Sequence, residues 1–371
     1  MSDSILFYIF AVSTIILVFY SLFFHAKLLF YKPINKKVSE TNLPQISVVI
    51  SAKDEDLNLQ KFLRRILMQN YPKFEVVVVD DGSDDDTYYV LKDFQNDFKN
   101  LNVIRLGETV NFYSGKKFPL SIGIRSAKYE HLLLTDADCF PTSPNWIKEI
   151  AAGFSENKSI VLGYGKYKTQ KGLLNKLIRF ETINTAIQYF SFALRGLSYM
   201  GVGRNLAYKK ELFLKNKGFS KYYTKLSGDD DLFINQVANA KNVSISINPE
   251  SFTISRPKAK FKDWVKQKRR HLTTSYSYKI KHKILLSLYS SATLIFYVSF
   301  IASLSTTNNF YLIFSLFIIR SIIFIVILKK IMQKFEEKNF LIYSLFFEIF
   351  IITFLGFLFL LNIISKPAKW K

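Results

Sequence analysis

The chain has 371 residues, 49% hydrophobic and 16% aromatic, with 36 Phe, 21 Tyr and a formal net charge of +22. Its single cysteine, Cys139, excludes an intrachain disulfide and suits a reducing compartment, and four scattered histidines leave no zinc-type Cys/His spacing. Such a charge fits nucleic acid, an anionic membrane surface or phosphorylated substrates, and long apolar blocks in the chain favour the last two over nucleic acid.

Residues 5–24 carry no charge. At about 1.5 Å rise per residue, a helix of that length crosses the roughly 30 Å hydrocarbon core of a bilayer. A signal peptide fits less well, because the segment is long, Asp3 precedes it where a basic patch is expected, and no small-x-small cleavage site follows. A retained anchor over 1–31 is therefore expected. Lys27, Lys32, Lys36 and Lys37 follow it and assign that side to the cytoplasm. A polar stretch over 32–44, bounded by Pro33 and Pro44, reads as a linker.

A mixed, charged region of roughly 240 residues comes next, long enough for one globular domain. Ile46-Ser47-Val48-Val49-Ile50 predicts a strand that runs into Ser51-Ala52-Lys53-Asp54-Glu55. Leu59, Phe62, Leu63, Ile66 and Leu67, spaced by threes and fours, predict a helix ended by Tyr71-Pro72. Val76-Val77-Val78-Val79 predicts a second buried strand, closing on Asp80-Asp81-Gly82-Ser83-Asp84; a helix over 86–98 and a strand over 103–106 follow. This alternation implies parallel strands with right-handed crossovers. Residues 114–128, opening Ser114-Gly115-Lys116-Lys117, predict a helix whose start could bring Lys116 and free backbone N–H groups to a diphosphate.

Leu132-Leu133-Leu134 is a further buried strand, and it stops at Thr135-Asp136-Ala137-Asp138-Cys139. Asp is common in turns after strands. Ligands of open α/β sheets, however, sit outside the carboxyl ends of the strands, and two acids there attract a hard divalent cation that bridges to phosphates. Residues 173–194 carry Leu174, Leu177, Ile178, Ile187 and Phe190, a pattern that fits a helix lying on a bilayer and an ordinary core helix equally.

In Leu226-Ser227-Gly228-Asp229-Asp230-Asp231-Leu232-Phe233-Ile234, three carboxylates precede an apolar helical run. One acid is explained by capping and the helix dipole. Three close carboxylates raise one another's pKa values, so that one can accept a proton near neutral pH. Trp264-Val265-Lys266-Gln267-Lys268-Arg269-Arg270-His271 is basic and amphipathic. It fits a juxtamembrane helix on anionic lipid, and it also fits phosphate contact by Arg270.

Apolar blocks over 284–304, 310–328 and 340–364 predict a bundle of about three C-terminal transmembrane helices. Arg320 and Glu348 interrupt them. Central charges cost roughly 2.5–3.5 kcal/mol on insertion scales and face the bundle interior, so mutual pairing is favoured over lining a path for a polar acceptor. The uncharged 305–309 loop reads as outside, and 329–338, with Lys329, Lys330, Lys334 and Lys338, as inside. A fourth crossing would leave Lys366, Lys369 and Lys371 outside, against that tendency, unless one late segment is re-entrant.

Taken in order, these motifs resemble the membrane-bound family 2 glycosyltransferases, over about residues 45–275. The resemblance implies an α/β GT-A fold with a mixed, mainly parallel sheet. It divides the chain into the anchor (1–31), the linker (32–44), a catalytic domain (45–258), an amphipathic juxtamembrane segment (259–283) and a membrane bundle (284–371). Ser51 to Glu55 looks like the opening nucleotide-binding loop, with Lys53 and Asp54 departing from the usual aromatic-Asn-Glu, so that Ser51 and Glu55 become donor contacts. Asp81 matches the acid that recognises the base, typically uracil, and Lys116 the Gly-Lys near the diphosphate. Asp136 and Asp138 match the Asp-x-Asp that holds nucleotide-sugar and Mg²⁺ or Mn²⁺, Asp138 being the direct ligand. Gly228-Asp229-Asp230 matches the acidic base motif, which makes Asp230 the general base beside Asp229. Gln267-Lys268-Arg269-Arg270-His271 is similar to the Gln-x-x-Arg-Trp of polysaccharide synthases and glycolipid transferases, with His271 for the Trp and with Gln267 and Arg270 at the donor. Gly201-Val202-Gly203-Arg204-Asn205-Leu206 looks like the acceptor-side segment.

The implied activity is inverting transfer of a hexosyl or N-acetylhexosaminyl group from a nucleoside-diphosphate sugar, typically a UDP-sugar. The acceptor would be a membrane lipid, a lipid-linked intermediate or a growing glycan at the cytoplasmic face of an integral membrane protein. Single transfer to a lipid and processive polysaccharide synthesis both carry such motifs, and a bundle this small favours the lipid. A non-catalytic basic membrane-binding protein is the remote alternative. The sugar, the linkage and the oligomeric state are left open.

Overall fold

A computed structural model describes residues 2–33, 43–107, 115–225, 227–304 and 310–365. Most of the expected linker, Ser114, the 305–309 loop and the lysines of the C-terminal tail lie outside these ranges. The chain begins with helix α1 (Ser2–Phe19), which passes through a π-helical turn (Tyr20–His25) into α2 (Ala26–Phe30).

Strands and helices then alternate as expected: β1 (Ile46–Ala52), α3 (Asp56–Leu67), β2 (Phe74–Asp80), α4 (Thr87–Asp97), β3 (Leu101–Arg105), α5 (Lys117–Ser126) and β4 (His131–Leu134). These four strands are parallel in the order β3-β2-β1-β4, with Val49 of β1 opposite Val77 of β2 and Leu134 of β4. The unbroken apolar runs follow from burial on both faces. Val48, Ile50, Val76, Val78 and Leu133 join the core with Leu59, Leu63 and Ile66 of α3 and Leu91 of α4. Val49, Val77, Val79, Leu132 and Leu134 join the opposite core with Leu120 and Ile124 of α5. Helix α5 lies so close that a Cβ on its Gly123 would stand 2.7 Å from Val49 Cγ1 and 3.0 Å from Val79 Cγ2. The strand order reverses between β1 and β4, which opens a crevice at their carboxyl ends.

Next come β5 (Cys139–Pro141), α6 (Trp146–Ala151), β6 (Ile160–Leu162), β7 (Gly165–Tyr167), α7 (Leu173–Ala193), β8 (Leu206–Lys209), α8 (Lys210–Lys215), α9 (Asp231–Val237), β9 (Val243–Ile245) and β10 (Thr253–Ser255). Strand β8 inserts antiparallel between β4 and β6, and β9 pairs parallel with β6, giving a seven-stranded mixed, mainly parallel sheet. A small second sheet runs β5-β10-β7.

Helix α10 (Phe261–Leu272) leads to α11 (Ile280–Ser303), α12 (Phe310–Lys334) and α13 (Ser344–Ile364). Among the described residues four helices, Ile5–Phe30, Ile280–Ser303, Phe310–Lys334 and Leu341–Ile364, are long and apolar enough to cross a membrane. Arg320 and Glu348 pair inside the bundle through two hydrogen bonds of 2.6 Å each, and Tyr297 donates to the same carboxylate at 2.7 Å. The Lys334 ammonium donates to the carbonyls of Leu28 and Tyr31 at 3.2 and 2.7 Å, so the C-terminal ends of α2 and α12 meet on one side.

Of the two readings of residues 173–194, the buried helix holds. Helix α7 lies between the sheet and the apolar bundle. Phe180 packs edge-on to Phe340 and tilted on Phe347, Phe190 stacks on Phe335, and Phe192 meets Phe24. Arg179, on the same helix, pairs with buried Glu337 through Nε at 2.8 Å. Apolar contact is thus continuous from the sheet into the bundle.

Candidate active site

The site lies at the carboxyl ends of β1, β2 and β4. Strand β1 ends at Ser51 and Ala52, and the loop beyond it is fastened to the loop after β2: Asp54 N–H donates to Ser83 Oγ at 2.9 Å, Asp84 N–H to Asp54 Oδ1 at 2.9 Å, and Glu55 N–H to Thr87 Oγ1 at 2.8 Å. Asp54 holds a left-handed φ of 54°, a conformation Asp tolerates better than most residues. Its departure from the aromatic-Asn-Glu pattern therefore has a local function in joining the two loops. Asp80 is fully buried and accepts from Ser83 N–H and Oγ–H at 3.0 and 2.6 Å, which shapes the turn. Neighbouring Asp81 is part-exposed at the rim, with its N–H on Ala52 O at 2.9 Å.

Lys116, the N-cap of α5, occupies the centre. Its ammonium stands 2.7 Å from Asp136 Oδ1 and 3.0 Å from Asp229 Oδ2, joining the end of β4 to the acids before α9. Burial opposes its charge, but Asp136, Asp229 and Asp230 outweigh that and raise its pKa well above the usual lysine range. Ser51, Leu120, Leu134, Thr135 and Gly203 close around Lys116, Asp136 and Asp229. Gly203 packs tightly here: a Cβ would lie 3.1 Å from Lys116 Nζ and 3.3 Å from Asp230 Oδ2, so those side-chain ends would have to give by a few tenths of an ångström.

The three consecutive acids separate by environment. Asp229 is buried against Lys116. Asp231 is buried on the far side, accepting from Thr274 Oγ1–H and, at 2.7 Å, from Tyr278 O–H. Asp230 lies between them. Its Oδ1 caps α9 through Asp231 N–H at 2.7 Å, and its Oδ2 accepts from Gly203 N–H at 2.7 Å. Burial, then repulsion from Asp229 and Asp231, pushes its pKa up to about 7, with Lys116 and the Gly203 N–H pulling the other way. A carboxylate balanced near neutrality beside the Lys116 cluster is suited to accept a proton.

Asp136, Asp138 and Cys139 bring donor atoms within 4.8 Å of one another. Burial and the two neighbouring acids push the Cys139 thiol well up, so it keeps its proton and donates to Asp138 Oδ1 at 3.2 Å. The donor set is therefore two carboxylates, which fits a hard divalent ion that completes its shell with water or phosphate oxygens. Burial alone would raise the Asp136 pKa, but Lys116, then Arg204 and Arg270, hold it below the ordinary value. Burial and the charge of Asp136 raise that of Asp138. Burial likewise raises Glu55, whose Oε2 accepts from Asn58 Nδ2–H at 2.6 Å, with Asp138 and Asp136 adding to the rise.

Helix α10 brings Arg270 towards the same charges. Burial lowers its pKa, and Asp229 and Asp136 oppose the drop. Gln267, one turn earlier, donates to Tyr167 O–H at 3.3 Å. His271 is exposed, and the aromatic anchor of this helix is Trp264, fully buried and stacked on Phe354 at 5.2 Å. Two cations were not singled out from the sequence. Arg204 stacks over the Tyr167 ring at 4.2 Å, donates to Ser255 Oγ at 2.7 Å and bears on both Asp136 and Asp138, while Lys258 bears on Asp138 and Glu55. The only signal for Arg204 was its place in Gly201-Val202-Gly203-Arg204, and for Lys258 there was none.

Comparison with known proteins gives a consistent result. Residues 47–215 match the glycosyl transferase family 2 model. Over 103 residues the chain is 34% identical to glycosyltransferase AglE of Haloferax volcanii, covering 27% of this chain and 33% of that protein. Over 160 residues it is 28% identical to the poly-beta-1,6-N-acetyl-D-glucosamine synthase of Staphylococcus epidermidis, covering 40% and 36%. These matches span about a third of the length of either relative. The mannosyltransferase PcManGT from Pyrobaculum calidifontis, solved in complex with GDP-Man and Mn²⁺, superposes with a TM-score of 0.66 at 16% identity, over 99% of this chain and 100% of that one. At that identity the likeness concerns fold, and the fold is of the GT-A type.

Proposed function

We propose that this chain, which carries a family 2 glycosyltransferase domain at residues 47–215, transfers a sugar with inversion from a nucleoside-diphosphate sugar to an acceptor at the cytoplasmic membrane surface. The acceptor is a membrane lipid or lipid-linked glycan. The observation that carries this reading is Asp230, a carboxylate raised to about 7 and held by the Gly203 N–H beside the Lys116–Asp136–Asp229 charges.

On this reading Asp81 meets the base, uracil in the favoured case, and Ser51 and Glu55 border the nucleotide. Lys116, Arg270 and Gln267 face the diphosphate. Asp136 and Asp138 would hold Mg²⁺ or Mn²⁺, which would supply Lewis-acid charge for the leaving diphosphate. Asp230 takes the proton of the acceptor hydroxyl as that oxygen bonds to the anomeric carbon. The bond from that carbon to the diphosphate oxygen breaks on the opposite face, and the departing charge spreads towards Lys116 and Arg270. Catalytic residues then fall within 45–258 and the 259–283 segment, with the anchor and the 284–371 bundle embedded.

Orientation follows from lysines. Lys27 in α2 and Lys32 just after it, and Lys329, Lys330 and Lys334 at the end of α12, lie on the side where those two helix ends meet, which supports a cytoplasmic catalytic domain.

A second reading, processive polymer synthesis, draws on the likeness to the Staphylococcus synthase. Against it, stacked phenylalanines fill the seam of α1, α11 and α12: Phe10 on Phe296 at 5.2 Å, Phe296 on Phe317 at 5.5 Å and Phe300 on Phe317 at 4.0 Å. Product length on a gel separates the two readings. The primary test is a screen of UDP- and GDP-sugars for diphosphate release with and without manganese. Release that needs the metal is expected, and no release from any donor overturns the proposal.

A further inference from the structure

An acid in the first turn of a helix interacts well with the dipole while exposed to water, so a buried one needs partners. Asp231 is 8% exposed and has them on a different element. Between α10 and α11 the chain makes a tight elbow, residues 273–279, containing the 3₁₀ turn Ser275–Ser277. From that elbow Thr274 Oγ1–H and Tyr278 O–H both donate to Asp231 Oδ2, the second at 2.7 Å. Asp231 Oδ1 takes Leu232 N–H at 2.7 Å.

One turn along α9, Asn235 holds the other end of the elbow. Its Oδ1 accepts from Lys279 N–H at 3.0 Å, and its Nδ2 bonds Tyr199 O at 3.0 Å and His282 Nδ1 at 2.9 Å. Asp231 and Asn235 are four residues apart and so share a helix face. Thr274, Asn235 and His282 are all buried, which makes these bonds hard to replace with water.

The elbow continues from α10 by short steps: Thr273 Oγ1–H donates to the Arg270 carbonyl at 2.7 Å, and Thr274 Oγ1, whose one proton goes to Asp231, stands 2.8 Å from the His271 carbonyl. On the other side, Asp231 N–H is the group that Asp230 Oδ1 caps. The elbow therefore joins the carboxyl end of α10 to Asp231, whose N–H is held by Asp230.

We infer that Asp231 and Asn235 are positioning residues that fasten the helix bearing Asp230 to the elbow between α10 and the membrane helix α11, fixing the catalytic carboxylate relative to α10. The inference rests on the reading of Asp230 as the base and Arg270 as a diphosphate contact. Asp231 thus holds its neighbour in place and takes no proton from the acceptor.

The test uses the full chain in lipid nanodiscs, with the donor and acceptor that support turnover, and compares Tyr278→Phe, Asn235→Ala, Asp231→Asn and Asp231→Asn/Tyr278→Phe with Asp230→Asn. Losing the tyrosine hydroxyl keeps the ring packing and removes one bond to a carboxylate. It is expected to lower kcat roughly tenfold while donor KM stays within about twofold. The double variant is expected to be no slower than Asp231→Asn alone, because both act through one contact. Wild-type kcat in Tyr278→Phe, or a rise in KM at unchanged kcat, overturns the fastening, and so does a lowered melting temperature with kcat intact. If Asp231→Asn does not fold, Tyr278→Phe and Asn235→Ala decide by the same criteria. Full transfer by Asp230→Asn would instead overturn the reading of the base, so the two failures are distinguishable.

Discussion

Asp230 differs from its two neighbours in what surrounds its oxygens, and that difference has a measurable consequence. A carboxyl with a midpoint of about 7 is protonated below it and accepts no proton there, so kcat/KM for transfer is expected to rise with pH along a limb centred near 7. A rate flat between pH 5 and 8 would exclude Asp230 as the base. Asp230→Asn is expected to keep donor binding and lose transfer by roughly 10²–10⁴-fold, whereas Asp138→Asn weakens manganese-dependent donor binding, both read by calorimetry beside turnover. Equal loss of binding in the two variants would contradict this division of labour. Asp136, Asp138, Lys116 and the triple acid were legible in the sequence because each follows a strand or opens a helix at a predictable end. Arg204 and the Gly203 N–H were not, because they reach the site through β8, which enters antiparallel beside β4, and no local spacing announces that pairing.

The four parallel strands at the heart of the sheet were readable from apolar runs closed by polar loops, and their ends shifted by only a few residues, as for β3 at Leu101–Arg105. Helix α7 was recognisable but its setting was not. A helix buried between a sheet and an apolar bundle carries the same apolar periodicity as one lying on lipid, and what distinguishes the two is long-range contact, Phe180 and Phe190 on the bundle rings and Arg179 on Glu337. For Arg320 and Glu348 the cost of a lone central charge favoured pairing over lining a polar path, and the structure pairs them. Arg320→Ala is expected to destabilise the bundle by about 3–5 kcal/mol, because it strands Glu348. Replacing both by apolar residues of similar volume should restore most of that. Thermal unfolding in detergent measures both variants, and a double variant as unstable as the single one would contradict the argument.

Across the whole molecule, the sequence suggested an anchor, a globular domain and a membrane bundle joined in series, and the structure joins the last two through packing. Tyr164 meets Phe335 edge-on at 4.5 Å, Phe252 stacks on Phe335 at 5.8 Å, and Trp264 lies on Phe354. These contacts link residues far apart in the chain, so no periodicity could reveal them. A chain truncated after Leu272, lacking α11–α13, is expected to elute as aggregate on size exclusion without detergent, while the full chain in detergent elutes as a discrete species. A monodisperse, active truncate would show that the seam is dispensable. Phe180, Phe190, Tyr164 and Trp264 therefore make solubility a matter of redesign: a water-soluble form of this chain would need those four positions resurfaced with polar side chains, and no choice of cutting point could substitute for that.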